Sequence, residues 1–145
     1  MESTTQVTRP QPKEGTLVHF EIPASDPAKL SSFYSQLFGW KFNKWEGAAT
    51  QNATQKSSMD YWLISHKDAT SPDDTIGGLF KRNTPQEQFL NYMLVKSVDD
   101  SLAKATGLGA KVLMAKQEIP NMGWFAVLAD PDGNTFALYQ SKSGM

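Results

Sequence analysis

Apolar and polar residues alternate in short segments along most of the chain, and this pattern predicts strands rather than a helical bundle. In the first half, the alternating segments cover residues 16–22, 40–45, 59–66 and 75–82. One segment between the first two differs, because Leu30, Tyr34 and Leu37 recur at helical spacing. Ser25 or Asp26 can cap this segment and Gly39 can end it, so the sequence predicts a helix over residues 27–38.

The second half repeats the order of the first. The predicted strands cover residues 91–98, 110–117, 122–130 and 134–140. A helix is predicted over residues 99–106, with Val98, Leu102, Ala105 and Leu108 on one side and Gly107 and Gly109 at its end. Three pairs of segments also match by eye: FGWKF with LGAKV, MDYWLI with MGWFAV, and GGLFK with FALYQ. These matches predict two tandem βαβββ units.

The predicted units fit within one domain. Unit one covers about residues 15–83 and unit two about residues 89–141, in a single domain over residues 15–145. Residues 1–14 are polar and contain two prolines, so we expect a flexible N-terminal tail.

Composition narrows the possible functions. The chain has 145 residues, a formal net charge of -1 and no run of like charges, which argues against nucleic acid or an anionic membrane as a partner. It has no cysteine, so disulfides, thiolate catalysis and cysteine-ligated zinc are excluded. The N-terminal segment has no apolar stretch typical of a signal peptide, and a cytoplasmic protein is therefore expected.

Two stretches carry a resemblance to a known family. They are HFEIPASDPAKLSSFYSQLFGWKF near the start and FAVLADPDGNTFALYQ near the end. With the tandem units, they resemble the vicinal oxygen chelate superfamily, which includes glyoxalase I, extradiol dioxygenases and bleomycin resistance proteins. The resemblance covers about residues 15–140. It implies an α+β fold in which the two units form a cup-shaped, partly closed mixed sheet around a small-molecule ligand, and it favours a homodimer.

The resemblance also implies where a metal would bind. Metal-dependent members of the superfamily carry one ligand on the first and one on the fourth strand of each unit, and these positions fall on His19, Gly78, Tyr92 and Ala137. The last is a glutamate in a motif resembling DPDGxxxEL, whereas this chain reads DPDGNTFAL. Only His19 is a common metal ligand, and divalent metals need several converging donors. No metal cofactor is therefore expected unless other residues rebuild the site.

Two polar residues of the first strand are candidates for chemistry. Strand alternation places His19 and Glu21 on the face opposite Val18, Phe20 and Ile22, whose apolar side chains should pack under the helices. His19 either contacts a ligand or is a structural histidine bonded to Glu21 or to a backbone carbonyl. Glu21 either acts as a base with a raised pKa or pairs with Lys96.

Aromatic residues complete the predicted site. Tyr92 is either a ligand-contacting donor or a buried core tyrosine, and Tyr139 is expected to line the cup. The predicted ligand-binding residues are His19, Glu21, Gly78, Tyr92, Ala137 and Tyr139. His66 is expected to be solvated in a polar turn, and residues 46–58 form a loop that is either a lid or a simple connection.

Two classes of function fit these residues best. The first is a binding module for a small aromatic or hydrophobic molecule, held in a cup with a degenerate metal site. The alternative is an enzyme of lyase, isomerase or dioxygenase type that uses His19, Glu21 and Tyr92 as acid/base groups. A third possibility, an interaction subunit, rests on exposed strand edges alone.

Overall fold

The chain alternates strands and helices in the order βαβββ-βαβββ, as the sequence predicts. The computed structural model describes residues 12–45, 60–71 and 74–142. Within them lie eight strands and two helices: β1 (Leu17–Ala24), α1 (Pro27–Phe38), β2 (Lys41–Lys44), β3 (Tyr61–Ser65), β4 (Thr75–Lys81), β5 (Leu90–Leu94), α2 (Val98–Gly107), β6 (Lys111–Ile119), β7 (Gly123–Ala129) and β8 (Thr135–Ser141). The α+β fold and its two tandem units are confirmed.

All eight strands belong to one mixed sheet, in the order β2-β3-β4-β1-β5-β8-β7-β6. Each unit supplies four neighbouring strands. The first and fourth strands of each unit are parallel, and the units meet where β1 and β5 pair antiparallel. At this seam His19 lies directly opposite Tyr92. The first strands of both units therefore form the middle of the sheet.

Capping residues set the helix boundaries. The Asp26 carboxylate accepts the Lys29 backbone N–H at 3.1 Å, and Gly39 ends α1 with a φ of 77°. Helix α2 begins one residue earlier than predicted, because the Ser97 side chain caps it by accepting the Asp100 backbone N–H at 3.0 Å. Leu108 was predicted to face the packed side of α2, and this was wrong. The helix ends at Gly107, and Leu108 is 72% exposed.

The helices cover the same face of the sheet, each over its own unit. Residues packed in the α1 half include Ile22, Ala24, Leu30, Tyr34, Ile64 and Leu79. Those in the α2 half include Val95, Val98, Leu102, Ala126, Leu128 and Leu138. Phe20 and Ile22 pack on this helix-covered face, as predicted for the apolar side of β1. The alternate residues of β1, His19 and Glu21, therefore face the opposite side, called the inner face below.

Strand pairing corrects one of the sequence matches. The match of MDYWLI with MGWFAV equates Tyr61 with Trp124. In the sheet, however, Leu63 pairs with Gly78 and Val127 pairs with Ala137, so Tyr61 corresponds to Phe125. The match was one residue out of register, and a slip of one residue moves every side chain of a strand to the other face.

Some predictions concern residues outside the described ranges. The loop at residues 46–58 and most of the tail at residues 1–14 lie there, and the domain boundaries stay predictions. Among the described helices, none combines the length and the apolar character needed to cross a membrane.

Candidate functional site

A half-buried carboxylate with two tyrosine donors lies at the centre of the inner face. The Tyr61 hydroxyl donates to Glu21 Oε2 at 2.8 Å, and the Tyr92 hydroxyl donates to Glu21 Oε1 at 2.8 Å. Tyr61 comes from β3, two strands away from β1, while Tyr92 comes from β5 across the seam. Residues of both units therefore hold one side chain.

His19 extends this arrangement into a chain of hydrogen bonds. Its Nε2 lies 2.9 Å from the Tyr61 hydroxyl oxygen. Because that hydroxyl donates its proton to Glu21, it is free to accept one, and we assign the Nε2–H of His19 as the donor. The His19 ring also packs edge-on against Tyr92, with 5.6 Å between centroids. His19, Glu21, Tyr61 and Tyr92 are called the inner-face cluster below.

This geometry identifies the hydrogen-bond partners of His19 and Glu21, while their roles toward a ligand stay predictions. The partner of His19 is the Tyr61 hydroxyl, not Glu21 or a backbone carbonyl. The expected pairing of Glu21 with Lys96 is not formed, since both Glu21 oxygens accept tyrosine hydroxyls and Lys96 lies exposed.

Burial controls the charge states of the inner-face cluster. It raises the pKa of Glu21, while the hydrogen bonds from Tyr61 and Tyr92 lower it in part. Burial lowers the pKa of His19 to about 4, so this imidazole is neutral at neutral pH. Burial, and then the Glu21 charge, raises the pKa of both tyrosines, which keeps their hydroxyls protonated.

The inner-face cluster is nevertheless open to solvent on one side. Tyr61 and Tyr92 are buried, with 9% and 7% of their surface exposed, but His19 and Glu21 keep an intermediate exposure. Protein atoms surround Glu21 closely enough to shift its pKa, yet part of the residue remains accessible. This combination is expected at the floor of a depression, where a small molecule can reach the polar groups.

The four positions at which the resemblance places metal ligands do converge. Glu21 lies opposite Gly78, His19 lies opposite Tyr92, and Tyr92 lies opposite Ala137. Tyr61 fills the space above Gly78, because a Cβ atom at that position would overlap the Tyr61 hydroxyl and ring. Ala137 is completely buried.

These residues do not fit a divalent metal site. Gly78 and Ala137 offer no side-chain donor, and the Tyr92 hydroxyl is already committed to Glu21. His19 Nε2 is directed at Tyr61. In the described parts of the chain, no group of three or more His, Cys, Asp or Glu residues is placed to hold a metal ion. That the protein carries no metal stays a prediction.

Aromatic rings contact both tyrosines of the inner-face cluster. Trp45 packs edge-on against Tyr61, with 5.7 Å between the ring centroids. The ring centroids of Phe125 and Tyr92 lie 6.1 Å apart. Tyr139 lies on the same face as Ala137 and pairs with Phe125. Its hydroxyl donates to the Met122 carbonyl at 3.0 Å and makes no hydrogen bond to the inner-face cluster.

The sequence did not lead to Tyr61, which is absent from the predicted ligand-binding residues. The signal was Gly78, because glycine inside a strand often marks a close approach by another group. Alternation in β3 would then have placed Tyr61 on the inner face, next to Gly78.

Two surface clefts lie elsewhere. One, of about 500 Å³, is lined by polar residues that include Ser25, Lys81 and Arg82, and the other, of about 430 Å³, includes His66. His66 is exposed. Neither cleft contains a residue of the inner-face cluster. Both are shallow, and neither gathers buried titratable groups, so the inner-face cluster remains the candidate site.

Sequence comparison now adds to this geometry. Residues 18–139 match the sequence profile of the family described as "Glyoxalase-like domain". The chain belongs to the glyoxalase-like domain family. The matched residues of this glyoxalase-like domain include the whole inner-face cluster, and the family assignment agrees with the vicinal oxygen chelate fold.

Relatives of the glyoxalase-like domain carry similar names. CFP32 of Mycobacterium tuberculosis, provisionally named a glyoxylase, is 30% identical over 126 residues, which is 86% of this chain and 43% of that protein. The chain thus spans less than half the length of this relative. A glyoxylase-like domain-containing protein of Didymella fabae is 26% identical over 125 residues, covering 86% of this chain and 92% of that protein.

Solved structures agree on the fold. Methylmalonyl-CoA epimerase of Streptomyces coelicolor, in complex with 2-nitronate-propionyl-CoA, superposes with a TM-score of 0.62 and 15% identity, over 90% of this chain and 99% of that one. A glyoxalase I variant from Zea mays gives a TM-score of 0.58 and 23% identity, over 88% of this chain and 44% of that one. At these identities, the likeness supports the fold of the glyoxalase-like domain alone.

Proposed function

We propose that this glyoxalase-like domain binds a small organic molecule on the inner face of its sheet without a divalent metal. One observation carries the proposal. At the place where metal ligands are expected, the chain has a partly accessible carboxylate held by Tyr61 and Tyr92. Binding sites for small molecules typically combine a few oriented polar groups with apolar walls.

The walls favour a ligand with an aromatic or hydrophobic body. Phe125 and Val127 stand on the inner face beside Tyr92 and Ala137, and Trp45 covers the edge of Tyr61. Flat apolar groups pack well on such rings. A homodimer and a cytoplasmic location accompany this proposal as expectations.

A ligand screen tests the proposal. We expect members of a library of small aromatic compounds to raise the melting temperature, since binding to the native state stabilises it. The affinity of each hit is then measured for wild type, His19→Ala and Tyr92→Phe. Loss of one hydrogen bond from the site should weaken binding about fivefold.

Tyr34→Phe provides the matched control. It removes the same hydroxyl from a tyrosine that packs on the helix-covered face, so it should leave affinity unchanged. If His19→Ala and Tyr92→Phe both bind the hits as tightly as wild type and the control do, the ligand lies elsewhere and the proposed site is wrong.

A second candidate function is acid/base catalysis at the same place. The continuous hydrogen bonds from His19 through Tyr61 to Glu21 favour it, together with the raised pKa of Glu21. A carboxylate with a raised pKa is a stronger base and is better suited to accept a proton from carbon. The test is exchange of a carbon-bound hydrogen of a screened ligand in D₂O. Exchange that persists unchanged in Glu21→Gln would exclude Glu21 as the base.

A further inference from the structure

The charge of Glu21 is not balanced by any basic side chain of the described residues. Within the described residues, no lysine or arginine forms an ion pair with it, and both of its oxygens are held by neutral hydroxyls. The other charged side chain that affects it is Glu87, which is also acidic. His19 is neutral at neutral pH and donates to Tyr61 instead.

Such a carboxylate is costly to keep charged. Two hydroxyl donors stabilise it, but they do not replace the water that burial removes. A cation placed against the carboxylate would compensate for this lost solvation, because the attraction between opposite charges is strong where water is scarce. A neutral group would leave the charge unbalanced, and an anion would be repelled.

The surrounding rings fit the same kind of ligand. The rings of Tyr61 and Tyr92 adjoin the carboxylate, and the partly exposed Phe125 ring lies next to Tyr92, with 6.1 Å between their centroids. Cations bind to the faces of aromatic rings. The second unit offers apolar residues on the same face. An aromatic wall beside a single carboxylate is typical of sites for organic ammonium groups.

We infer that the ligand of the inner face is an organic cation, with its ammonium group against Glu21 and its apolar body toward β7 and β8. This inference rests on the small-molecule binding proposed above and names the chemical class of the ligand. In the part of the chain that the structure describes, the titratable groups that face Glu21 are His19 on its own strand, Tyr61 from β3, Tyr92 from β5, and Glu87 before β5. None of them supplies a positive charge at neutral pH.

Two probes of matched shape test this inference. The para-(trimethylammonio)phenol cation and neutral para-tert-butylphenol differ mainly in charge. Titration calorimetry at neutral pH should give at least about tenfold tighter binding of the cation to wild type, as expected for a desolvated cation beside a carboxylate and aromatic rings. Because the cation favours the charged form of Glu21, binding should also release protons in the pH range in which Glu21 titrates, and this release is measured as a function of pH in buffers of different ionisation enthalpy.

Variants locate the source of the preference. Glu21→Gln should abolish the preference for the cation and the proton release. Glu118→Gln is the matched control, because Glu118 is an exposed residue paired with Lys142, and it should keep both. Tyr92→Phe leaves the carboxylate in place and should also keep the preference, which covers the case in which Glu21→Gln does not fold.

The outcomes separate the two proposals. If the neutral probe binds as tightly as the cation at a site sensitive to Tyr92→Phe, the cation inference is wrong and the small-molecule site stands. If neither probe binds, the library ligands decide: neutral or anionic hits alone overturn the cation inference, cationic hits support it, and no hits at all overturn both proposals. A cation preference that survives in Glu21→Gln also overturns the inference.

Discussion

The two units place different chemistry on the same framework. Their equivalent inner-face positions differ in polarity. Glu21 pairs with Gly78 as Tyr92 pairs with Ala137, so the equivalent pairs are His19 and Leu90, Glu21 and Tyr92, Tyr61 and Phe125, and Gly78 and Ala137. The first unit thus has an imidazole, a carboxylate and a phenol, whereas the second has one phenol among apolar side chains. The backbone pairing is nearly the same in both. The inner face is therefore divided into a polar and an apolar half by side chains alone.

The comparison also shows how the first unit replaces an expected ligand. Tyr61 reaches over Gly78 and bonds Glu21, while Phe125, at the equivalent position, has no hydroxyl. The Tyr61 side chain occupies the space that a Cβ atom at position 78 would need, so a tyrosine at position 61 requires a glycine at position 78.

The largest effect should come from adding a methyl group in the polar half. Gly78→Ala puts a Cβ atom into the space of the Tyr61 ring, so the ring must move and both of its hydrogen bonds are lost. We expect the free energy of unfolding to fall by about 3 kcal/mol in urea denaturation.

Gly107→Ala is the control for this change. Nothing lies within 4 Å of the added atom at Gly107, and stability should change by less than about 1 kcal/mol. In a double-mutant cycle, Tyr61→Ala should cancel much of the cost of Gly78→Ala. Additive losses would contradict the steric dependence of the two residues.

The pH dependence of stability should distinguish the two titrating residues of the polar half. His19 has a pKa lowered from 6.5 to about 4, so protonation favours the unfolded chain. Its contribution is fully present above pH 6.5 and is lost as the pH falls toward 4. The wild type should therefore lose about 2 kcal/mol relative to His19→Gln over this window in urea denaturation.

Glu21 should act in the opposite direction. Its pKa is raised from 4.5, so the native state retains a proton that the unfolded chain releases. Stability of the wild type relative to Glu21→Gln should then fall as the pH rises above 4.5, and level off above the raised pKa. Slopes of the same sign for both residues would contradict the assigned charge states.

Removal of single hydroxyls gives a smaller effect and compares the units directly. Tyr61→Phe makes the first unit resemble the second at this position, and it removes one hydrogen bond from His19 and one from Glu21, which keeps the hydrogen bond from Tyr92. Tyr92→Phe affects Glu21 alone. We expect losses of about 2 and about 1 kcal/mol in the free energy of unfolding. Equal losses would show that the His19 hydrogen bond adds nothing.

The smallest effect on stability should come from removing metal ions with a chelator. Zinc, nickel, iron or manganese should not copurify in stoichiometric amount, and chelator should leave the melting temperature unchanged. About one tightly held transition metal per chain in elemental analysis would contradict the assignment of Gly78 and Ala137 as vacated ligand positions.

The sequence predicts the fold well because its signals are local. Alternation and the capping residues Asp26 and Gly39 act within a few neighbours, and they place α1 at the observed residues. The inner-face location of His19, Glu21 and Tyr92 follows from alternation and the family resemblance together. Tyr61 could not be assigned in the same way, because β3 is aromatic on both faces and its register across β4 depends on tertiary pairing.

The hydrogen bond from Tyr92 to Glu21 joins equivalent positions of the two units across their seam, and this has a consequence for the symmetry of the chain. Two identical units would place the same residue at positions 21 and 92, which gives either two carboxylates or two phenols. Two carboxylates would repel each other, and two phenols would leave these positions without a charge. A hydroxyl donor can meet a carboxylate here only because the two units differ in sequence, and a single chain that carries both units fixes that pairing.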